Sequence, residues 1–126
     1  MAKHNELGNL GEKLAREYLA AKGYAICEEN WHSGKYEIDI IAQDGLQLVI
    51  VEVKTRSTNE FGNPEDFVTP KKIQRIVDAA NHYLRLCPHD LDIRFDIISV
   101  VIDNINPENS EIEHFEDAFI PPLRTR

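Results

Sequence analysis

Residues 36–55, YEIDIIAQDGLQLVIVEVKT, decide the fold. They hold two runs, YEIDIIAQ and LQLVIVEVKT, whose period of two and β-branched content mark strands, with Asp44-Gly45 between them as a hairpin signal. Side chains alternate across a strand, so Glu52 and Lys54 share one face while Val51 and Val53 take the other. The same rule puts Glu37 and Asp39 on one face of the neighbouring strand, with Ile38 and Ile40 opposite. Joined by the hairpin, Asp39 and Glu52 can lie side by side.

Upstream, Asn5 is a candidate N-cap for a helix over 6–22, in which Leu7, Leu10, Leu14 and Tyr18 recur at helical spacing before Gly23 supplies a stop. YAICEENW then reads as a short strand. Downstream, the turn formers of 57–66 indicate a loop, and Thr69-Pro70 starts a second helix as N-cap and first helical residue. Ile73, Ile76, Val77, Ala80 and Leu84 form its apolar face; Lys71, Gln74, Arg75, Asp78 and Arg85 lie on the other, and Pro88 ends it. IRFDIISVVID is a largely apolar, central strand and IEHFEDAF a weaker last one. The order is α-β-β-β-α-β with an added strand: an α/β domain whose helices flank a mixed, twisted sheet, with a right-handed crossover expected.

At 126 residues the chain suits one domain spanning 1–126, with 118–126 as a loose tail. Its 42% hydrophobic and 29% charged residues exclude disordered and fibrous classes. No stretch approaches the roughly 20 apolar residues of a membrane helix, and MAKHNELGNLGEK lacks the apolar core of a signal peptide, so a cytoplasmic protein without membrane contact is expected. Cys27 and Cys87 are too few for a disulfide framework and lack zinc spacing, which predicts reduced, buried thiols. The net charge of −8 speaks against a phosphate-bearing partner, yet nine of the 22 acidic residues and only three of the 14 basic ones fall in 90–126. The acidity belongs mostly to the C-terminal quarter, and the run Glu111 to Asp117 should lie away from any nucleic-acid face.

Carboxylates brought together repel one another, and a hard cation such as Mg²⁺, with oxygen ligands at about 2.0 to 2.1 Å and several retained waters, relieves this. A Lys two residues from such a ligand can orient or help deprotonate water, or stabilise charge on phosphorus. On pattern alone, one Asp beside a Glu-x-Lys is commonly a cross-strand salt bridge. Position argues for more, because both charged elements adjoin runs apolar enough to be central, where unpaired charge costs several kcal/mol.

Glu12, Asp39 and Glu52-x-Lys54 on α-β-β-β-α-β together resemble the PD-(D/E)XK nuclease superfamily, the restriction-endonuclease-like fold that includes archaeal Holliday-junction resolvases. More closely, Gly8-x-x-Gly11-Glu12-x-x-Ala15, Glu37-Ile38-Asp39-Ile40-Ile41, Val51-Glu52-Val53-Lys54-Thr55-Arg56 and the segment from Lys72 through Ala80 to Tyr83-Leu84 resemble uncharacterised protein family 0102, the YraN-like bacterial proteins. The resemblance implies Asp39 and Glu52 as ligands of Mg²⁺ or Mn²⁺, Lys54 as the catalytic lysine and Glu12 as a further acidic group. It implies a metal-dependent endonuclease acting on DNA, branched or structured, with a homodimer as one way to present two sites. The YraN-like pattern usually has Gly before Glu-Ile-Asp; here Tyr36 stands there. A non-catalytic nucleic-acid-binding module and an acidic protein-interaction domain are the rival expectations.

Among the remaining candidates, Lys71, Lys72 and Arg75 can hold phosphate at a helix N-terminus or simply form a solvated face. Arg56 can grip a nucleic-acid backbone or make a surface salt bridge. Glu37 can be a further ligand or a neighbour that tunes Asp39. Asp96 can support the site or, more readily, pair with Arg94. His4, His32, His82, His89 and His114 lack metal-ligand spacing and read as surface or satisfied residues. Trp31 and Tyr36 can stack on unpaired bases, although packing is the simpler reading.

Overall fold

Leu48, Val49, Ile50 and Val51 are all buried, as a strand covered on both faces requires. In the computed structural model, which describes residues 2–57, 69–87, 91–103 and 105–118 but not the side chains of 2–5, this strand lies at the middle of a five-stranded sheet. The elements are α1 (Ala2–Ala21), β1 (Ala25–Ser33), β2 (Tyr36–Asp44), β3 (Gln47–Ser57), α2 (Pro70–Leu86), β4 (Asp92–Ile102), a 3₁₀ turn at Pro107–Asn109 and β5 (Glu111–Phe115). The strands lie in the order β1-β2-β3-β4-β5; β3 and β4 pair in parallel, from Gln47–Asp92 to Ser57–Ile102, and the other neighbours are antiparallel. This is the α-β-β-β-α-β order expected, with β5 added at one edge.

Each helix covers one face. Ala15 and Leu19 of α1 pack with Ile40, Ala42, Val49, Val51, Val53, Ile98, Val100 and Ile102; Ile76, Val77, Ala79 and Ala80 of α2 pack with Ile41, Leu48, Ile50 and Phe95. The periodic residues Leu7, Leu10, Leu14 and Tyr18 are only partly buried around the α1 core. The closest approach uses smaller residues. A Cβ on Gly11 would stand 1.8 Å from Thr55 Oγ1, so only glycine lets α1 sit this near β3. At its end, α1 closes with Tyr24 N–H donating to the Leu19 carbonyl and Gly23 N–H to that of Ala20, a Schellman motif that needs the Gly23 φ of +96°.

Several expectations need correction. Asn5 is not an N-cap: it lies inside α1, because nothing in Ala2–Asn5 breaks a helix. The hairpin turn is centred on Gly45-Leu46, since Asp44 pairs with Gln47 and Gly45 supplies the positive φ. Ile38 and Ile40 do not share a face: Ile38 joins the α2 cluster and Ile40 the α1 cluster. The β2–β3 ladder stops at Ile40–Val51, so the start of β2 is held by β1 alone and departs from the alternation set by β3. Strand β5 ends at Phe115, where Asp117 turns at φ +53° and donates its amide to Asp96. Of the tail, Ala118 is tied by its N–H to the Phe95 carbonyl, and 119–126 lie outside the described residues, as do 58–66 of the predicted loop, Pro88 and His89. Helix α2 stops at Leu86, and Cys87 is extended (φ −93°, ψ 136°), as a residue preceding proline should be. Among the described residues, no helix is long and apolar enough to cross a membrane.

Candidate active site in the fork between two strands

Where β2 and β3 part, a cleft of about 750 Å³ opens, lined by Glu12, Lys35, Tyr36, Glu37, Asp39, Glu52, Val53, Lys54, Lys72, Arg75, Ile76 and Asp78. Each side chain arrives by a local rule. Glu12 follows Gly11, the point where α1 touches β3. Asp39 is the first residue of β2 beyond its ladder with β3, and its Oδ2 accepts the Val53 N–H at 2.9 Å. That contact ends the ladder by substituting a carboxylate for a strand carbonyl. Glu52 and Lys54 alternate with buried Val51 and Val53, as the period of two predicts. Thr69 caps α2 by accepting from Lys72 N–H at 3.2 Å, with Pro70 behind it, and this sets Lys72 and Arg75 over the cleft.

The charges are strongly coupled. Asp39 is pushed up to about 8, first by burial and then by the Glu52 carboxylate, with Glu12 adding to both. Burial also raises Glu12, helped by Glu52 and Glu37 and opposed by a bond from Asn30. Glu52, only 12% exposed, is bridged by Lys72 Nζ at 2.6 Å and more loosely by Lys54 Nζ at 3.5 Å. The two lysines respond in opposite directions. Burial and the adjacent Lys72 hold Lys54 below the ordinary ammonium range, whereas contact with Glu52 outweighs burial and raises Lys72. Lys72 is thus the standing counter-ion of Glu52, and Lys54 is the amine that more readily gives up its proton.

Glu12, Asp39 and Glu52 bring hard oxygen donors to one cavity, and their mutual repulsion is what a divalent cation would relieve. Among the described residues, no group of three or more His, Cys, Asp or Glu is set to hold a metal. Mg²⁺ does not require one, since one or two carboxylates with waters and a phosphate complete its shell. The donor set therefore fits such an ion.

Of the other candidates, Arg56 is half-buried and does not line the cleft, while Lys71 is exposed and outside it. Glu37 sits at the rim, exposed, 3.8 Å from His32 Nε2. Asp96 pairs with Arg94: buried on the α1 side of the sheet, it accepts from Arg94 Nε (2.9 Å) and an Arg94 terminal nitrogen (2.7 Å), lies 2.7 Å from His114 Nε2, and accepts from Asp117 N–H (3.0 Å). Trp31 and Tyr36 pack rather than stand free, Trp31 edge-on to Tyr83 and Tyr36 stacked on His82 at 5.0 Å. Cys87 is half-buried but Cys27 is exposed, because it falls at a register shift in the edge strand β1; both are free thiols. The acidic residues of β5 lie beyond β4, at the edge of the sheet away from β2. Asn30, Lys35 and Asp78 also reach the site, and no sequence pattern marks them: Asn30 lies within β1, Lys35 in the turn that follows it and Asp78 on a face of α2.

Residues 11–100 match the Uncharacterised protein family UPF0102. The chain belongs to this family. A UPF0102 protein of Christiangramia forsetii is 54% identical over 119 residues, covering 94% of this chain and 98% of its own. One from Flavobacterium psychrophilum is 56% identical over 119 residues with the same coverage, and one from Phocaeicola vulgatus 50% over 123, covering 98% and 99%. The UPF0102 match takes in Glu12, Asp39, Glu52, Lys54 and Lys72, so every charged group at the centre of the cleft lies within the matched region.

Proposed function

We propose that the domain is a metal-dependent, endonuclease-like phosphodiesterase acting on DNA, with branched or structured DNA as its preferred substrate. The observation that carries this reading is the convergence of three mutually repelling carboxylates on a lysine held below its ordinary range. Asp39 and Glu52 would hold Mg²⁺ or Mn²⁺, which when bound supplies a charge centre that acidifies water and offsets the phosphate charge. Lys54 takes a proton from the attacking water or steadies the charge that grows on phosphorus. Lys72 can exchange Glu52 for a phosphate oxygen, Arg75 grips a neighbouring phosphate, and Glu12 orders water at the cleft wall. A homodimer would present two such clefts to a four-way junction.

Purified protein with Mn²⁺ is expected to nick branched DNA, and Asp39→Ala or Lys54→Ala to abolish nicking while leaving the fold intact. Residual activity equal to wild type in either variant would refute the assignment. The short Glu52–Lys72 bridge favours one rival, a non-catalytic nucleic-acid-binding or protein-interaction module that keeps the cluster as a structural ion pair. Titration calorimetry separates the two, because only the enzymatic reading requires Mg²⁺ or Mn²⁺ binding that Asp39→Ala removes.

A further inference from the structure

Among the described residues, two other than glycine have positive φ, Asn30 and Asp117. Asn30 lies within the edge strand β1, at φ +50°, a left-handed conformation that asparagine tolerates better than most residues but that a regular strand does not use. The residue is exposed, so no gain in packing accounts for its backbone. Outliers of this kind persist only where the surroundings over-determine them, and they cluster at functional sites.

The conformation breaks the alternation of β1 at one place. Glu28 turns to α2, where it accepts from the Tyr83 hydroxyl at 3.4 Å, and Trp31 turns the same way to pack edge-on to Tyr83. Between them, Glu29 and Asn30 both turn to α1: Glu29 accepts from Arg16 at 2.8 Å, and the Asn30 carboxamide donates to the Glu12 carboxylate. In a regular strand two consecutive side chains point to opposite faces. Glu12 and Arg16 stand one turn apart on α1, so the two contacts clamp β1 to the helix at the level of the cleft.

The neighbouring strand has a matching fault. Glu29 pairs with Ile40 and Trp31 with Ile38, which leaves Asn30 opposite Asp39. Ile40 packs in the α1 cluster and Ile38 in the α2 cluster, so β2 loses its own alternation at Asp39. The two strands step together. That step turns Asp39 onto the Val53 N–H and brings the Asn30 amide to Glu12. A bulge that only kept the edge strand from pairing with other chains would need no amide there.

We infer that Asn30 is a positioning residue of the carboxylate cleft: its left-handed backbone carries the step that aims Asp39, and its carboxamide fixes Glu12 towards a cation held by Asp39 and Glu52. The inference rests on the metal-dependent reading and gives that site an outer support on β1.

The test follows Mn²⁺ uptake by the full chain, read from the loss of the free-ion paramagnetic resonance signal. Glycine keeps the left-handed backbone and removes only the carboxamide. Asn30→Gly should therefore melt within a few degrees of wild type in EDTA yet bind Mn²⁺ about tenfold more weakly, the usual cost of losing a partner that orients groups around a metal. Asn30→Ala also strains the backbone, so it should melt lower and bind no better than Asn30→Gly. In a Glu12→Ala background, Asn30→Gly should change Mn²⁺ affinity by less than about twofold, because the support acts through Glu12; a general structural loss would carry through in full. Equal affinity in wild type and Asn30→Gly, or the same loss with and without Glu12, overturns the inference even if wild type cleaves DNA. Asn30-dependent Mn²⁺ binding without cleavage of any branched or structured DNA would instead sink the hydrolytic reading and leave the role of Asn30 standing.

Discussion

Replacing Asp39 with Asn should stabilise the fold, and by an amount that depends on pH. Asp39 is pushed from its ordinary 3.8 up to about 8 by burial and by Glu52. Between those two values the native chain holds a proton that the unfolded chain has released, so stability falls as pH rises through the window. At pH 7 the cost approaches an upper bound of about 4 kcal/mol, at 1.36 kcal/mol for each unit between the unfolded value and the pH. Asn keeps an oxygen for the Val53 N–H and removes the charge, but its amide must also give up water, so roughly half of that bound is expected, about 2 kcal/mol. For a domain of this size that raises Tm by roughly 8 °C. The assay is thermal or urea unfolding in EDTA across a pH series. The advantage of the variant should be near zero around pH 4 and grow towards pH 8, as the linkage requires. A destabilised Asp39→Asn at pH 7, or a gain that ignores pH, would refute the reasoning and make Asp39 a partner in a structural ion pair.

Gly11→Ala should cost about 1 to 3 kcal/mol by urea unfolding, because its Cβ would overlap Thr55. Thr55→Ala should restore only part of this, since the Thr55 Cβ itself lies 2.7 Å from that position. Asp96→Ala should cost about 3 kcal/mol at pH 7 by leaving the half-buried Arg94 with only the distant Glu116 carboxylate, 3.8 Å away, as its counter-charge. Bonds from His114, Arg94 and the Asp117 amide outweigh burial and hold Asp96 below its ordinary 3.8, so its contribution is present above that value and is lost as pH falls through the lower folded one. Acid unfolding should therefore begin at higher pH in Asp96→Ala than in wild type. Lys72→Ala should weaken DNA binding uniformly across sequences and reduce the slope of log affinity against log salt by about 1. An unchanged slope would place Lys72 off the phosphate path.

The fold was legible because β3 is so apolar that it must be central and because Thr69-Pro70 is a strong helix start. Asp39, Glu52 and Lys54 were legible as charges at the ends of such runs. Less visible was the fork between β2 and β3: strand alternation assumes that a ladder continues, and nothing in Glu37-Ile38-Asp39 signals that it stops at Ile40. That Lys72 sits closer to Glu52 than Lys54 does was also hidden, because this pairing joins residues on separate elements whose approach depends on how α2 docks. The core of α1 was misjudged towards its large residues. Gly11 and Ala15, with little hydrophobic signal of their own, set the distance between layers. Asp78 belongs to the polar face of an amphipathic helix, where a sequence pattern does not distinguish a cleft wall from solvent.

The two-residue turn at Gly45-Leu46 also orders events in time. It lets Asp39 and Glu52 meet through local pairing alone, on the microsecond scale of hairpin formation. Lys72 is twenty residues further along the chain, about 1 to 4 s later at ordinary rates of synthesis. Through that interval the nascent hairpin carries its acidic pair without the closer of the two lysines that counter Glu52 in the finished domain, and an isolated hairpin is marginal in any case. The arrival of α2 then delivers the counter-charge and, by way of β4, the parallel ladder that covers the other edge of β3.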